Sequence, residues 1–505
     1  MSRRIGVKVS LAISLALLLI LPLSFGLFAA DEGIVVIQGA GPTGLDPTVH
    51  REGPTYNITI NIFDSLLRRT AEGDIVPALA KSYERETEKS WVFHLREGVE
   101  FHNGEELTAE AVKFTVDRIF DPELKSTRAT DLDWIEKVEV LDNYTVRITA
   151  NKVFALADHY FSELQIVPPE YVKEVGNKQF NLNPVGTGPF EFVRWDQGNR
   201  VVLERNEEYW AGPSEVSSVT FRFINSAASR VATLLGGDAD LVADVPVSSI
   251  NQIENRSNTK LGVATGSRVI FVGLDSAQDT PLNNVKVRRA LNYAVNKEAI
   301  IENLLSGLAE ETVTLLTDKD LGFNPDVDPY EYRPEKAREL LKEAGYSDGF
   351  EIEMATLSGR YINDEQVAQA IAGYLGDIGV EVKLQVMEFG AFNDKLFSKQ
   401  ISPMFLVGWG NPVFDASYVF DFIVRSDGLI RTIQNEEIDE LLKKGRTTTD
   451  QEKREKYYQE AVELVNERAP AIFLYKQPVL YGMSDRLNWT PRSDEFLWMY
   501  DASAS

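Results

Sequence analysis

The chain has 505 residues, of which 44% are apolar, 26% charged and 10% aromatic, a globular composition that excludes a wholly disordered, collagenous or polytopic membrane chain. At this length one small core is not enough, and two or three lobes are expected. With 52 basic against 77 acidic residues the formal charge is −25, which disfavours nucleic acid or any partner that needs a large positive field. The absence of cysteine argues against disulfides, thiolate metal sites, cysteine nucleophiles and a lipid-modified cysteine at a mature N-terminus.

Arg3, Arg4 and Lys8 precede an apolar stretch over residues 9–30, interrupted only by Ser, Pro and Gly. This pattern predicts an export signal over 1–30, cleaved after Ala29 or Ala30 and read by the general secretory route, because Gly6 stands where a twin-arginine motif wants a bulky apolar residue. An uncleaved anchor is the alternative, and both place the remainder outside the cytoplasm, in a periplasm. No later apolar run approaches membrane-spanning length, and no internal repeat of fixed period is visible.

In chain order, Trp91, Phe93 and Leu95, then Val99 and Phe101 after Glu97-Gly98, predict a hairpin that acts as scaffold. Thr145-Val-Arg-Ile-Thr149, Val201-Val-Leu-Glu204 and Val219-Thr-Phe-Arg-Phe223 alternate as strands do. Gly186-Thr-Gly-Pro189 predicts a turn in which the glycines take up positive φ and proline fixes the exit, able to join two lobes while backbones approach closely. Val287, Ala290, Leu291 and Ala294 share one helix face, as do Ala337, Leu340, Leu341 and Ala344 between Pro334 and Gly345. Phe350 to Met354 alternates, Val367, Ala368, Ile371 and Leu375 form a helical stripe, and Val380 to Val386 alternates again. That order predicts two parallel strands with a helical crossover, hence an α/β lobe with its ligand crevice at the carboxyl ends of the strands.

Two stretches lie where such a crevice would open. The loop 358–363 follows a strand and precedes a helix; Arg360 offers five donors in a planar fork, suited to a carboxylate or to hydroxyls, and Tyr361 offers a stacking face with a polar tip. Trp409 follows the apolar run Met404-Phe-Leu-Val407 and precedes the turn Gly410-Asn-Pro412, so it stands at a strand end. Catalytic readings find little. His50, His94, His102 and His159 lack metal spacing, and abundant carboxylates leave a secreted hydrolase only as a distant alternative. No metal, cofactor or catalytic residue is assigned.

A collinear series of segments resembles the family-5 extracellular solute-binding proteins, the peptide, dipeptide and nickel receptors of ABC importers. It begins with Leu45-Asp46-Pro47, Asn61-Ile-Phe-Asp64 and Gly73-Asp-Ile-Val-Pro-Ala-Leu-Ala80. The most specific stretch is Trp91-Val-Phe-His-Leu-Arg-Glu-Gly-Val-Glu-Phe-His-Asn-Gly104, followed by Leu107-Thr-Ala-Glu-Ala-Val112 and Arg118. Asn183-Pro-Val-Gly-Thr-Gly-Pro-Phe190, Asn206-Glu-Glu-Tyr-Trp210, Arg230 to Asp238, Val287 to Val295, Pro334 to Leu341 and Ala469-Pro-Ala-Ile-Phe-Leu-Tyr475 extend it over almost the whole mature chain.

The resemblance implies an α/β, two-lobed periplasmic-binding-protein fold of type II, the large three-domain variant, with a hinge between lobes. Domain I would comprise 31–64, 185–281 and 476–505, a small domain II would span 65–184, and domain III, the second lobe, 282–475. It further implies a monomeric, non-enzymatic receptor that encloses a small solute by lobe closure and delivers it to a membrane permease. Ligand contacts implied on this pattern fall on Trp409, Asn411, Asp415, Arg51, Gly53 and Tyr475, beside Arg360 and Tyr361. Peptide-binding members carry an acid for the peptide's amino end three residues after the tryptophan, where this chain has Pro412. A small peptide is the first expectation; an oligosaccharide or opine-like solute is the alternative, and nickel is disfavoured by the four histidines.

Overall fold

Segments with period-two alternation, bounded by Gly, Pro and Asn, assemble into one mixed sheet that runs through most of the chain. The computed structural model describes residues 33–50, 52–430 and 432–505; the expected export signal with its cleavage sites, and Arg51, lie outside the described residues. Among these residues eleven strands share the sheet. At one end Val380–Met387, Phe350–Leu357 and Met404–Gly410 lie side by side; at the other are Ile34–Gln38, Ser218–Phe223, Arg200–Arg205 and Phe190–Asp196. Two long antiparallel strands, Thr259–Leu274 and Ala471–Ser484, connect the ends. Their pairing is regular from Thr259↔Ser484 to Thr265↔Pro478, is interrupted, and resumes at Val269↔Lys476. Proline cannot donate to a ladder, so the interruption at Pro478 fits the rule that sheets break pairing where an N–H is missing.

The alternation and stripe predictions match these elements. Thr145–Ala150, Arg200–Arg205 and Ser218–Phe223 are strands, and Val285–Ala294 and Pro334–Glu343 are helices. Phe350–Leu357 pairs in parallel with Val380–Met387, with the helix Asp364–Gly376 between them in sequence. Val367, Ala368, Ile371 and Leu375 are buried on its inner face, in a core that also contains Ile270, Phe271, Leu291, Met354 and Tyr458. Val269 to Leu274 belong to this core although they precede residue 282, because the long strand crosses from one core to the next within a single element. A second core gathers Ile34, Val36, Phe190, Leu203, Phe221 and Tyr481.

A third core fills a separate four-stranded antiparallel sheet in the order Ala80–Thr87, Ser90–Leu95, Thr145–Ala150, Ile135–Asp142. Trp91 meets Trp134 and Phe161 edge-on at 5.9 and 5.5 Å, contacts worth about 0.5–1.5 kcal/mol each beyond area burial. The expected hairpin over Trp91 to Phe101 does not form. Ser90–Leu95 pairs instead with Ala80–Thr87 and Thr145–Ala150, while Val99 and Phe101 bond to Leu107 and Glu105 in a compact loop. Two flanking strands already satisfy both edges of Ser90–Leu95, leaving no edge for a hairpin partner.

The family segments meet at buried polar hubs. Arg118 reaches both oxygens of Asp46, at 2.9 and 2.6 Å, joining two motifs seventy-two positions apart in a buried ion pair. Asp64 accepts from Tyr209 Oη (3.0 Å), Trp210 Nε1 (2.9 Å) and Thr187 Oγ1 (3.2 Å), and burial pushes its carboxyl up to about 6. Gly186 and Gly188 do not adopt positive φ. They are small because a Cβ would stand 2.0 Å from the Ile62 carbonyl oxygen at Gly186 and 2.5 Å from the Ile62 carbonyl carbon at Gly188, so close backbone approach is the reason for both.

Candidate ligand-binding site

Phe350–Leu357 and Met404–Gly410 run parallel, so their carboxyl ends open side by side and the segments that follow them converge. The first of these segments is pinned by Asp364. Its carboxylate accepts from the backbone N–H groups of Gly359 (3.0 Å), Arg360 (2.8 Å), Tyr361 (3.1 Å) and Glu365 (3.0 Å), at the start of the helix Asp364–Gly376. An acid there also complements the positive end of the helix dipole. Tyr361, buried, donates from Oη to the Gly408 carbonyl at 3.0 Å and ties the loop to the neighbouring strand. A Cβ at Gly408 would lie 2.8 Å from the Tyr361 ring and 3.1 Å from Arg268 Cδ, so glycine there lets both side chains seat.

This pinned loop turns Arg360 into a cavity of about 910 Å³. Arg268, Arg360, Tyr361, Phe389, Trp409 and Glu495 are on its walls, with Pro412 at its edge. Arg360 lies over Phe389 at 5.4 Å and over Tyr361 at 5.5 Å, and Arg268 is 5.9 Å from the Tyr361 ring. Stacking holds both guanidinium groups, Arg268 also donates from Nη1 to the Gly408 carbonyl at 3.4 Å, and neither forms an ion pair among the described residues. Trp409 is half-buried, tilted against Phe422 at 5.6 Å, and its buried Nε1–H has no hydrogen-bond partner among the described residues.

The structure brings Arg360, Tyr361 and Trp409 together and places Asn411, Asp415, Tyr475 and Gly53 elsewhere. Asn411 is buried, donating to Asp320 Oδ1 at 2.7 Å and to the Asp415 carbonyl at 3.1 Å. Asp415 caps the helix Ala416–Ile423 through Ser417 N–H (3.0 Å) and Oγ (2.7 Å), and its other oxygen accepts from Arg454 at 2.8 Å. The Asn411 amide nitrogen and both Asp415 carboxylate oxygens are engaged by the fold, and neither residue lines the cavity. Tyr475 is 1% exposed, within the strand Ala471–Ser484, where burial drives its hydroxyl well above the usual range. Gly53 opens the helix Gly53–Ile62 in open space and does not line the cavity.

Arg268, Phe389, Asp364 and Glu495 were not singled out from the sequence. Asp364 carried a signal, an acid at the start of a predicted helix directly after the candidate loop. Arg268 and Glu495 carried none, because the cavity walls they form come from a strand interruption and from the C-terminal return. No group of three or more His, Asp or Glu able to hold a metal occurs among the described residues.

A half-buried cavity at strand ends, walled by aromatic faces and unpaired charges, defines a protein that holds a small solute. The chain belongs to the bacterial extracellular solute-binding proteins of family 5, whose middle-segment model matches residues 74–429. It is a solute-binding receptor of an ABC importer, in a family without enzymatic activity, and the family implies an ABC permease as partner. Among the described residues no helix is long and apolar enough to cross a membrane. Heme-binding protein A of Haemophilus influenzae is 29% identical over 479 residues, covering 88% of this chain and 87% of that protein. Glutathione-binding protein GsiB of Pectobacterium atrosepticum is 28% identical over 476 residues, covering 91% of each. HbpA2 of Haemophilus parasuis superposes with a TM-score of 0.85 at 26% identity, covering 94% of this chain and 100% of that one. The periplasmic binding protein DppA of Helicobacter pylori, in complex with the peptide STSA, gives 0.75 at 26% identity, covering 94% and 98%.

Proposed function

We propose that the receptor captures a small peptide, holding its carboxylate end with Arg360 and Arg268 and an apolar side chain against Trp409 and Phe389. The observation that carries this reading is the pair of stacked guanidinium groups without a carboxylate partner at one cavity wall. A guanidinium recognises a carboxylate by two parallel hydrogen bonds, and desolvation on enclosure strengthens them. The peptide carried by DppA and the glutathione named for GsiB are ligands of this chemistry.

The domain division proposed with it keeps 65–184 as a small extra domain, groups 31–64, 185–281 and 476–505, and sets 282–475 as the second lobe. Support comes from the separate hydrophobic cores and from the interrupted pairing between Thr265 and Val269, a natural flexing point where two strands cross. Solute would enter the open form, closure would bury it, and the closed form would dock on the permease.

Thermal denaturation with dipeptides, longer peptides and oligosaccharides tests the ligand class. A ligand at a hundred times its Kd stabilises by about 2.7 kcal/mol, readily seen as a raised Tm. A rise with peptides alone supports the reading; a rise with oligosaccharides and none with any peptide overturns it. Small-angle scattering with and without that ligand tests closure, and an unchanged radius of gyration would count against it.

A further inference from the structure

We infer that Glu495, which lines the same cavity as Arg268 and Arg360, is the anchor for a ligand ammonium group. The inference rests on the peptide reading above and names the residue that would select for a free amine.

Two acids of the C-terminal return, Asp494 and Glu495, face the cavity. Asp494 is engaged: both its oxygens accept from Arg492, at 2.9 and 2.6 Å, and Oδ1 also accepts from the Phe496 N–H at 3.1 Å. Glu495 is not. Its carboxylate has no hydrogen bond or ion pair among the described residues, and it feels Arg268 and Arg360 only as fields. Burial raises its proton affinity, opposed by Arg268 and Arg360 and reinforced by Asp244 and Asp494, so a carboxylate without a direct partner is costly there and an incoming cation relieves that cost.

Backbone geometry points the same way. Glu495 has φ 65°, in the left-handed region that favours glycine. The turn is forced by its neighbours: Arg492 also donates to the carbonyls of Arg69 and Thr70, the Ser493 carbonyl accepts from Ser267 N–H, and Ser493 Oγ accepts from Lys319. A residue with a Cβ held in a strained conformation, its charge aimed into a cavity, is the pattern expected where function opposes local stability. Arg268 stands at the strand interruption, Arg360 in the loop after Phe350–Leu357 and Glu495 in the C-terminal return, so one cavity offers both signs of charge to a zwitterion.

Isothermal titration of the full chain with glutathione and with the peptide STSA, each against its N-acetylated form, tests the assignment. Wild type should bind a free-amine form at least tenfold more tightly than its acetylated counterpart. Glu495→Gln should remove that advantage, weakening the free-amine form at least tenfold and leaving the acetylated form within about twofold. Glu495→Gly should do the same while raising the Tm of the unliganded chain, and it keeps the test open if the Gln variant does not fold. An amine advantage that survives both substitutions, or wild-type binding with no advantage, overturns the role of Glu495 and leaves the peptide reading standing. Wild-type protein that binds neither free-amine peptide overturns the peptide reading and this inference together.

Discussion

The loop 358–363 and the turn 411–415 both follow the carboxyl ends of neighbouring parallel strands, yet they use their polar groups in opposite ways. In the first, one buried acid, Asp364, satisfies the backbone and leaves the Arg360 guanidinium free at the cavity wall. In the second, Asn411 and Asp415 are themselves the satisfying groups, tied to Asp320, Ser417 and Arg454. Position at a strand end therefore does not make a binding residue. What remains available to a ligand is the side chain whose hydrogen bonds the fold has not already taken.

That contrast is broken most forcefully at Asp415. Asp415→Ala removes a helix cap and strands Arg454 in the core, and a cost of about 3–5 kcal/mol is expected, read as a large fall in Tm. The fraction that folds should bind ligand with wild-type affinity; a specific affinity loss at unchanged Tm would reverse the assignment. Asp364→Ala should cost about 2 kcal/mol of stability through lost N–H partners and also weaken binding, because Arg360 loses its fixed loop. Stability lost with affinity retained would separate the loop from the site.

Arg360→Ala should leave the Tm near wild type and weaken ligand at least tenfold, about 1.4 kcal/mol, by calorimetry. Unchanged affinity would remove Arg360 from the cavity's function.

A further test of the second turn is in pH. Burial raises Asp320, which holds Asn411, from 3.8 to about 7, so the folded chain keeps a proton there that the unfolded chain releases. Its contribution to stability is full below pH 3.8 and is lost as pH rises towards 7. His102 works in the opposite direction: Nε2 bonds the Gly188 carbonyl, burial lowers it from 6.5 to about 4, and stability is lost as pH falls through that interval. Melting curves from pH 4 to 8 should therefore show Asp320→Asn flattening the upper part of the profile. A wild-type slope retained in that variant would assign the titration to another group.

Much of the architecture was legible because it depends on short-range pattern. The stripe Val367, Ala368, Ile371, Leu375 had to face a core, and the flanking alternations had to become parallel strands, as they do. Arg360, Tyr361 and Trp409 could be picked out by the same logic, since their places at strand ends follow from local periodicity. The hairpin at Trp91 failed because alternation predicts a strand without naming its partners, and two other strands had already taken both edges.

Which polar groups are free is a different kind of fact. Asp415 and Arg360 both stand as candidates in the chain, and only the arrival of Arg454, from thirty-nine positions away, neutralises one of them. Arg268 and Glu495 become cavity walls because a strand interruption and the C-terminal return meet in space. Periodicity sets which face of an element is buried, whereas hydrogen-bond satisfaction depends on long-range neighbours, so the chain alone carried the fold and the address of the candidate cavity, and three-dimensional packing set which charges line it without a partner.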